Sequence, residues 1–155
     1  DIVVVAPDSG RVRLAERWAE LLGGRPIAFI QHRNSLQSEQ PDTAQLVGDV
    51  TARLCLVVDD MIDTGTTVVG ATRLLHAAGA AAVIAAATHG VLSGAAPARL
   101  SSSRIREVIV TDTLPIPRYK HFAQLSVHSI APLLGRAVRE VFTGGSVTSL
   151  FNDRA

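Results

Sequence analysis

Two adjacent carboxylates, Asp59 and Asp60, end an apolar run and precede the turn Asp63-Thr64-Gly65-Thr66-Thr67 in the stretch LCLVVDDMIDTGTT. These residue types offer two kinds of chemistry. Threonine hydroxyls, free backbone N–H groups at a helix start and a glycine that permits close backbone approach all suit a phosphate. Paired acids would repel that phosphate, so they must face another part of the ligand, either vicinal hydroxyls or a divalent cation. A ribose 5-phosphate provides both ends, with its phosphate in Asp63 to Thr67 and its 2- and 3-hydroxyls on Asp59 and Asp60. An ordinary strand-to-helix turn would use one acid and one threonine as caps and would leave the rest of the series unexplained.

The elements that position these residues follow from periodicity. Leu54 to Val58 is continuously apolar, the pattern of a strand buried on both faces of a parallel sheet. From Thr67 onward, TVVGATRLLHAAGA has a helical pattern with Gly79 near its end. The acids therefore lie where a strand leaves the sheet, the edge at which open α/β sheets bind ligands. Further strands are expected at Ile2 to Ala6, Pro26 to Ile30, Val83 to Thr88, Glu107 to Thr111 and Leu125 to Ser129. Helical patterns cover Val12 to Leu22, Val68 to Ala78, Ala95 to Ser102 and Ile130 to Phe142. Strands alternating with helices predict a doubly wound α/β fold, a mainly parallel sheet flanked by helices. Gln31 to Val50 is polar and aperiodic. Its first part, residues 31–45, is expected to be a flexible lid loop, and LVGDV a short edge strand.

Other strand ends carry polar groups. Asp8 follows the first strand in APDSG, either as the N-cap of the next helix or as a Mg²⁺ ligand at the rim it would share with Asp59. Thr88 and His89 in ATHGVLSG reach the same rim, with His89 as readily a structural loop histidine. TDTLPIP, residues 111–117, brings hydroxyls and an acid to the corresponding place. His32 and Arg33 are the cations of the lid segment, available to a phosphoryl transition state or simply solvated. GGSVTSLFNDRA near the end is either a frayed tail or a second anion site.

A chain of 155 residues suits one domain, and with 47% hydrophobic but only 4% aromatic residues its core must be built from Ala, Val, Leu and Ile. A formal charge of +1 leaves no electrostatic footprint for nucleic acid. Cys55 is the single cysteine, so no disulfide forms within the chain and a reducing, cytoplasmic compartment is expected. No apolar stretch is long enough to span a membrane. The abrupt apolar opening DIVVVAP reads as the start of a domain belonging to a longer polypeptide.

VVDDMIDTGTT resembles the phosphoribosyl-binding loop of the type I phosphoribosyltransferase fold. Together with APDSG, LVGDV, ATHGVLSG, TLPI and SVTSLF it resembles the carboxyl-terminal domain of phosphoribosyl diphosphate synthetase, the ribose-phosphate pyrophosphokinase family. The resemblance implies transfer of the β,γ-diphosphoryl group of Mg-ATP to the C1 hydroxyl of ribose 5-phosphate, with release of AMP. It also implies the 5-phosphate at Asp63, Thr64, Gly65, Thr66 and Thr67, ribose hydroxyls on Asp59 and Asp60, and Mg²⁺ on Asp8. Ser146, Thr148 and Phe151 would fall in a regulatory phosphate or ADP site between subunits of a hexamer, and the adenine pocket would come from an amino-terminal domain. The family's lid begins with His-Lys-x-Arg, where this chain reads FIQHRNS, so His32 stands at the lysine position and Asn34 at the arginine position. Thr66 stands where the family usually has Gly, and Asp112 where it usually has Asn. Two other readings are a non-catalytic regulatory relative, favoured by the missing lysine, and a free-standing phosphoribosyltransferase, disfavoured by SVTSLF.

Overall fold

The computed structural model describes residues 1–33 and 43–151. Seven strands form one sheet: β1 (Ile2–Ala6), β2 (Ile27–Arg33), β3 (Thr43–Val47), β4 (Leu54–Ile62), β5 (Ala82–Gly90), β6 (Glu107–Thr111) and β7 (Leu125–His128). The helices are α1 (Val12–Leu21), α2 (Thr66–Ala77), α3 (Ala96–Ser101) and α4 (Ala131–Phe142). The spatial order β3-β2-β1-β4-β5-β6-β7 is parallel throughout except at β3, which pairs antiparallel with β2. The chain thus winds outward from β1 in one direction and from β4 in the other. The order reverses between those two strands, which makes their carboxyl ends the topological switch point of the sheet.

Both faces of the sheet are covered. On one, Val3, Val5, Cys55, Val57, Val83 and Val108 pack with Val68, Ala71 and Leu75 of α2 and Leu100 of α3. On the other, Val4, Ala6 and Val58 meet Ala15 and Ala19 of α1. Small alanines at the contacts bring the helices close to the sheet, as a core poor in aromatics requires. Cys55 is fully buried, and burial pushes its thiol up to about 11, as befits a core residue and not a reactive one. The last helix differs from the others. It has no buried residue, and Leu133, Leu134, Val138, Val141 and Phe142 are all exposed. No helix among the described residues is long and apolar enough to cross a membrane.

Three expectations change, the first being that the edge strand expected at LVGDV, residues 46–50, is β3 at Thr43–Val47, which ends before Gly48. The apolar run that ends at Val58 is not the end of its strand, because β4 continues through both acids to Ile62, paired with β5 as far as Gly90. Pairing with β1 stops at Val57, so Asp59 and Asp60 extend past a shorter neighbour and line a crevice. The flexible loop expected over residues 31–45 does not hold at either end of that range, where the chain is strand. Gln31 pairs with Gln45, His32 with Ala44 and Arg33 with Thr43, forming the arms of a hairpin. Exposed edge strands satisfy their backbone through one partner and have no apolar period for a sequence reading to detect. Residues 34–42 of the expected loop lie outside the described residues.

Gly48 follows β3 with φ +114°, and a Cβ there would lie 2.8 Å from the Ala28 Cβ and 2.9 Å from its Cα. Gly48→Ala is expected to cost about 2 to 4 kcal/mol through backbone strain and overpacking. The readout is a lower urea midpoint at unchanged m value. A variant as stable as the parent would contradict the close approach.

Candidate sugar-phosphate site at the sheet switch point

The loop after β4 is built by local geometry. Gly65 takes φ +73°, a left-handed conformation that permits the sharp entry into α2, and its backbone carbonyl accepts the Val69 N–H at 3.0 Å. A Cβ at Gly65 would meet Leu100 Cγ at 3.1 Å, so α3 supports the loop from behind. The segment after β5 ties down the other side. Leu92 N donates to the Ile62 carbonyl at 3.1 Å and Ser93 N to the Asp63 carbonyl at 3.1 Å, while the Ser93 hydroxyl donates to the Asp63 carboxylate. Leu92 is fully buried at φ 48°, a strained setting for a bulky residue that fixes Ser93 on the loop. Arg99 of α3 donates to the Thr64 carbonyl, and the hydroxyls of Thr64 and Thr66 lie 3.1 Å apart. The opening N–H groups of α2 have no acceptors within their own helix and face this loop.

A cleft of about 250 Å³ joins the loop to the strand ends, lined by Asp8, Arg11, Asp59, Asp60, Asp63, Thr64, Gly65 and Thr67. A second cleft, of about 310 Å³, adjoins it at Thr67 and is lined by Pro7, Ile30, His32, Ala44, Thr66 and Gly70 among others. His32 is therefore placed by β2 beside the phosphate loop, while the side chain of Arg33 lies outside the described residues. Asp8 performs the capping role: its Oδ1 accepts from Gly10 N at 2.7 Å and Arg11 N at 3.1 Å, starting the short 3₁₀ turn Ser9–Arg11. Among the described residues, no three His, Cys, Asp or Glu side chains come together as a metal site. His89 Nδ1 lies 2.8 Å from the Thr113 hydroxyl, and the Thr88 carbonyl accepts from Thr111 and Thr113, so this rim is internally satisfied. Asp112 accepts from Ile130 N at 2.8 Å and anchors the approach to α4; its hydrogen bonds with Ser129 and the Ile130 backbone hold its carboxyl below the ordinary range. Ser146 donates to Thr148 at 2.9 Å beyond α4, and neither residue lines the two clefts. The side chain of Phe151 lies outside the described residues.

Sequence reasoning missed Arg11. Its Nε donates to Asp59 Oδ1 at 2.6 Å and its Nη2 to Asp60 Oδ1 at 2.8 Å, so the two acids share one guanidinium. Its only signal was a cation next to an APDSG turn, which would have needed the β1–β4 neighbourhood to interpret. Ser93 and Arg99 were missed for the same reason, since each acts on the loop from a different element. The pairing has consequences for ionisation. Burial raises the Asp59 carboxyl above the usual range, against the pull of its hydrogen bond from Arg11. Loss of hydration pushes Asp60 upward as well, but its hydrogen bond with Asp59 and the charge of Arg11 outweigh that and hold it low. The hydrogen bond to Asp59 in turn raises the guanidinium of Arg11.

On acidification Asp59 is therefore expected to take its proton before Asp60. In a carboxyl ¹³C titration the Asp59 midpoint should lie above the ordinary aspartate value and that of Asp60 below it. The stabilisation from Asp60 is present above the ordinary carboxylate range and disappears as pH falls through its depressed pKa. Arg11→Ala should raise the Asp60 midpoint; identical midpoints for the two acids in the parent chain would contradict this division.

Comparison with known proteins places the chain in a family. The family model described as phosphoribosyl synthetase-associated domain matches residues 32–152. The ribose-phosphate pyrophosphokinase of Mycobacterium tuberculosis is 57% identical over 156 residues, covering 100% of this chain and 48% of that protein. That of Bifidobacterium longum is 50% identical over 153 residues, covering 98% of this chain and 45% of that protein. The crystal structure of phosphoribosylpyrophosphate synthetase from Mycobacterium smegmatis superposes with a TM-score of 0.86 at 55% identity, covering 94% of this chain and 46% of that one. The chain thus spans about half the length of the relatives it matches. With this agreement in sequence and in fold, the chain belongs to the phosphoribosyl synthetase family.

Proposed function

We propose that this chain is the sugar-phosphate-binding, carboxyl-terminal half of a ribose-phosphate pyrophosphokinase. The observation that carries the reading is the pairing, at one switch-point crevice, of a glycine-turned loop suited to phosphate with two acids suited to hydroxyls. In this reading the 5-phosphate of ribose 5-phosphate sits on the backbone N–H groups and hydroxyls of Asp63 to Thr67. Asp59 and Asp60 exchange the guanidinium of Arg11 for the 2- and 3-hydroxyls of the sugar. A hydroxyl donates to a carboxylate without adding charge, and Arg11, once released, remains beside the phosphates as a counter-ion.

The proposed reaction is attack of the C1 hydroxyl oxygen on the β-phosphorus of ATP. A new C1–O–Pβ bond forms, the bond from Pβ to the α-bridging oxygen breaks, AMP leaves and the hydroxyl proton is lost. Mg²⁺, when bound with ATP, would neutralise charge on the transferring diphosphoryl group. Asp8, whose Oδ1 caps the turn after β1, lines the same cleft and would offer Mg²⁺ one carboxylate beside substrate oxygens and water. The chain's own work is to hold and orient the sugar. The adenine pocket belongs to the other half of the relatives' length, so the isolated chain binds the sugar phosphate without turning it over. The exposed apolar face of α4 fits a chain that functions inside a larger, oligomeric assembly. Phosphate or ADP acting at Ser146, Thr148 and Phe151 between subunits of a hexamer is part of the same proposal.

Calorimetry on the folded chain should detect ribose 5-phosphate binding. Asp59→Ala should weaken it by about 1.5 to 3 kcal/mol, the value of a charge-assisted hydrogen bond, while leaving inorganic phosphate binding within about twofold. Equal losses for both ligands would sink the division of labour between acids and loop.

A second reading, a non-catalytic regulatory relative, is favoured by His32 standing where the family's lysine is expected. His32 lines the cleft that meets the phosphate loop at Thr67, the right place for a phosphoryl-stabilising cation. His32→Lys in the full-length protein should therefore raise AMP release at pH 8, because an ammonium stays charged there. Unchanged or lower turnover would favour the regulatory reading.

A further inference from the structure

Behind the phosphate loop, on the side away from the acids, α2 and α3 enclose a cleft of about 360 Å³. Arg73 and His76 of α2 line it on one side, Arg99 of α3 and Arg104 on the other, with Val69 as part of an apolar floor. None of its lining residues is acidic. The ion pairs among the described residues join Arg11 to Asp59 and Asp60, and Arg53 to Asp1 and Asp49. Among the described residues, Arg73 and Arg104 have no such partner. Three arginines and no acid border this one cleft, a local excess of positive charge in a chain of formal charge +1.

The walls of the cleft are fixed before any ligand arrives. The imidazole Nε2 of His76 lies 3.2 Å from the Arg104 carbonyl, which ties the end of α2 to the turn after α3. Arg99 is held by its Nη1 donation to the Thr64 carbonyl, and the rest of its donor fork remains for a ligand. The Ser102 hydroxyl donates to the Arg99 carbonyl at 3.2 Å, so it does not compete for the anion as a donor. Guanidiniums alone thus supply the donors, and their planar forks match phosphate oxygens two at a time. The volume is at the small end of ligand sites, enough for a phosphate or diphosphate group with a modest organic part over Val69.

We infer that this cleft is a second phosphate-binding site, distinct from the Asp63 to Thr67 loop, for a small phosphate-bearing molecule held by Arg73, Arg99 and Arg104. It lies one side chain from the sugar-phosphate loop, since Arg99 touches both. The inference rests on the α2–α3 geometry and stands apart from the assignment of the loop itself.

Amide NMR on the 155-residue chain tests it, with pyrophosphate, AMP and adenosine titrated separately. Pyrophosphate or AMP should move the amides of Thr72, Arg73, His76 and Arg104 in a saturable manner, and adenosine alone should not. Pyrophosphate gives a free diphosphate and AMP an ester, so their relative affinities tell the two sources of the phosphate apart. Arg73→Ala with Arg104→Ala should weaken binding at these amides by about tenfold or more, the loss expected from two charge-assisted contacts. The rest of the spectrum should stay unchanged as proof of folding. Amides of residues 63–67 report the loop independently, so failure of either site is visible without the other. Absence of saturable shifts at the cleft, equal shifts with adenosine, or shifts that survive in the folded double variant would each overturn the proposal.

Discussion

The contact of Gly65 with Leu100 is the constraint on which the rest of the site depends. Leu100 is fully buried in the core between α3 and the sheet, and the loop backbone rests directly on it because no Cβ intervenes. That seat fixes where α2 begins and where its free N–H groups point. Ser93 and Arg99 then hold the carboxylate of Asp63 and the carbonyl of Thr64 from either side. The phosphate role proposed for this loop requires donors that need no rearrangement, and the loop is braced here by Leu100 of the core together with Ser93 and Arg99.

The acids obey a second constraint, charge balance within the crevice. The side chain of Asp59 is only 14% exposed, and a buried carboxylate without a partner would be costly. Arg11 supplies that partner from the turn after β1, which lies beside β4 only because the sheet reverses its winding there. The same topology that opens the crevice thus also delivers the cation that pairs with its two acids. In the proposed function, displacing Arg11 is part of the free-energy cost of binding, and the sugar hydroxyls must offset it.

Much of this was legible in the amino-acid sequence, and the reason differs by element. The bounds of β1 and β6 were readable because buried parallel strands are uninterrupted runs of Val and Ile. The turn from β4 into α2 was readable because its glycine and threonines sit at consecutive positions. The far end of β4 was not, since Asp59 and Asp60 look like the close of a strand when one cannot see that β5 continues alongside them. The hairpin arms of β2 and β3 were hidden by polar side chains on an exposed edge. Arg11, Ser93 and Arg99 were invisible because their meaning comes from contacts across 48, 30 and 35 residues of chain. Asp8 had two meanings in the sequence, and the structure exhibits the capping one.

The account turns on one exchange, sugar hydroxyls for guanidinium at Asp59 and Asp60 with phosphate in the adjacent loop. A crystal structure of the chain with ribose 5-phosphate tests it most directly. The expected result is a phosphate within about 3 Å of the backbone nitrogens of Thr64 to Thr67, ribose hydroxyls on the two acids, and Arg11 turned away from them. A bound sugar phosphate with Arg11 still joined to both carboxylates, or a phosphate seated outside the loop, would contradict it.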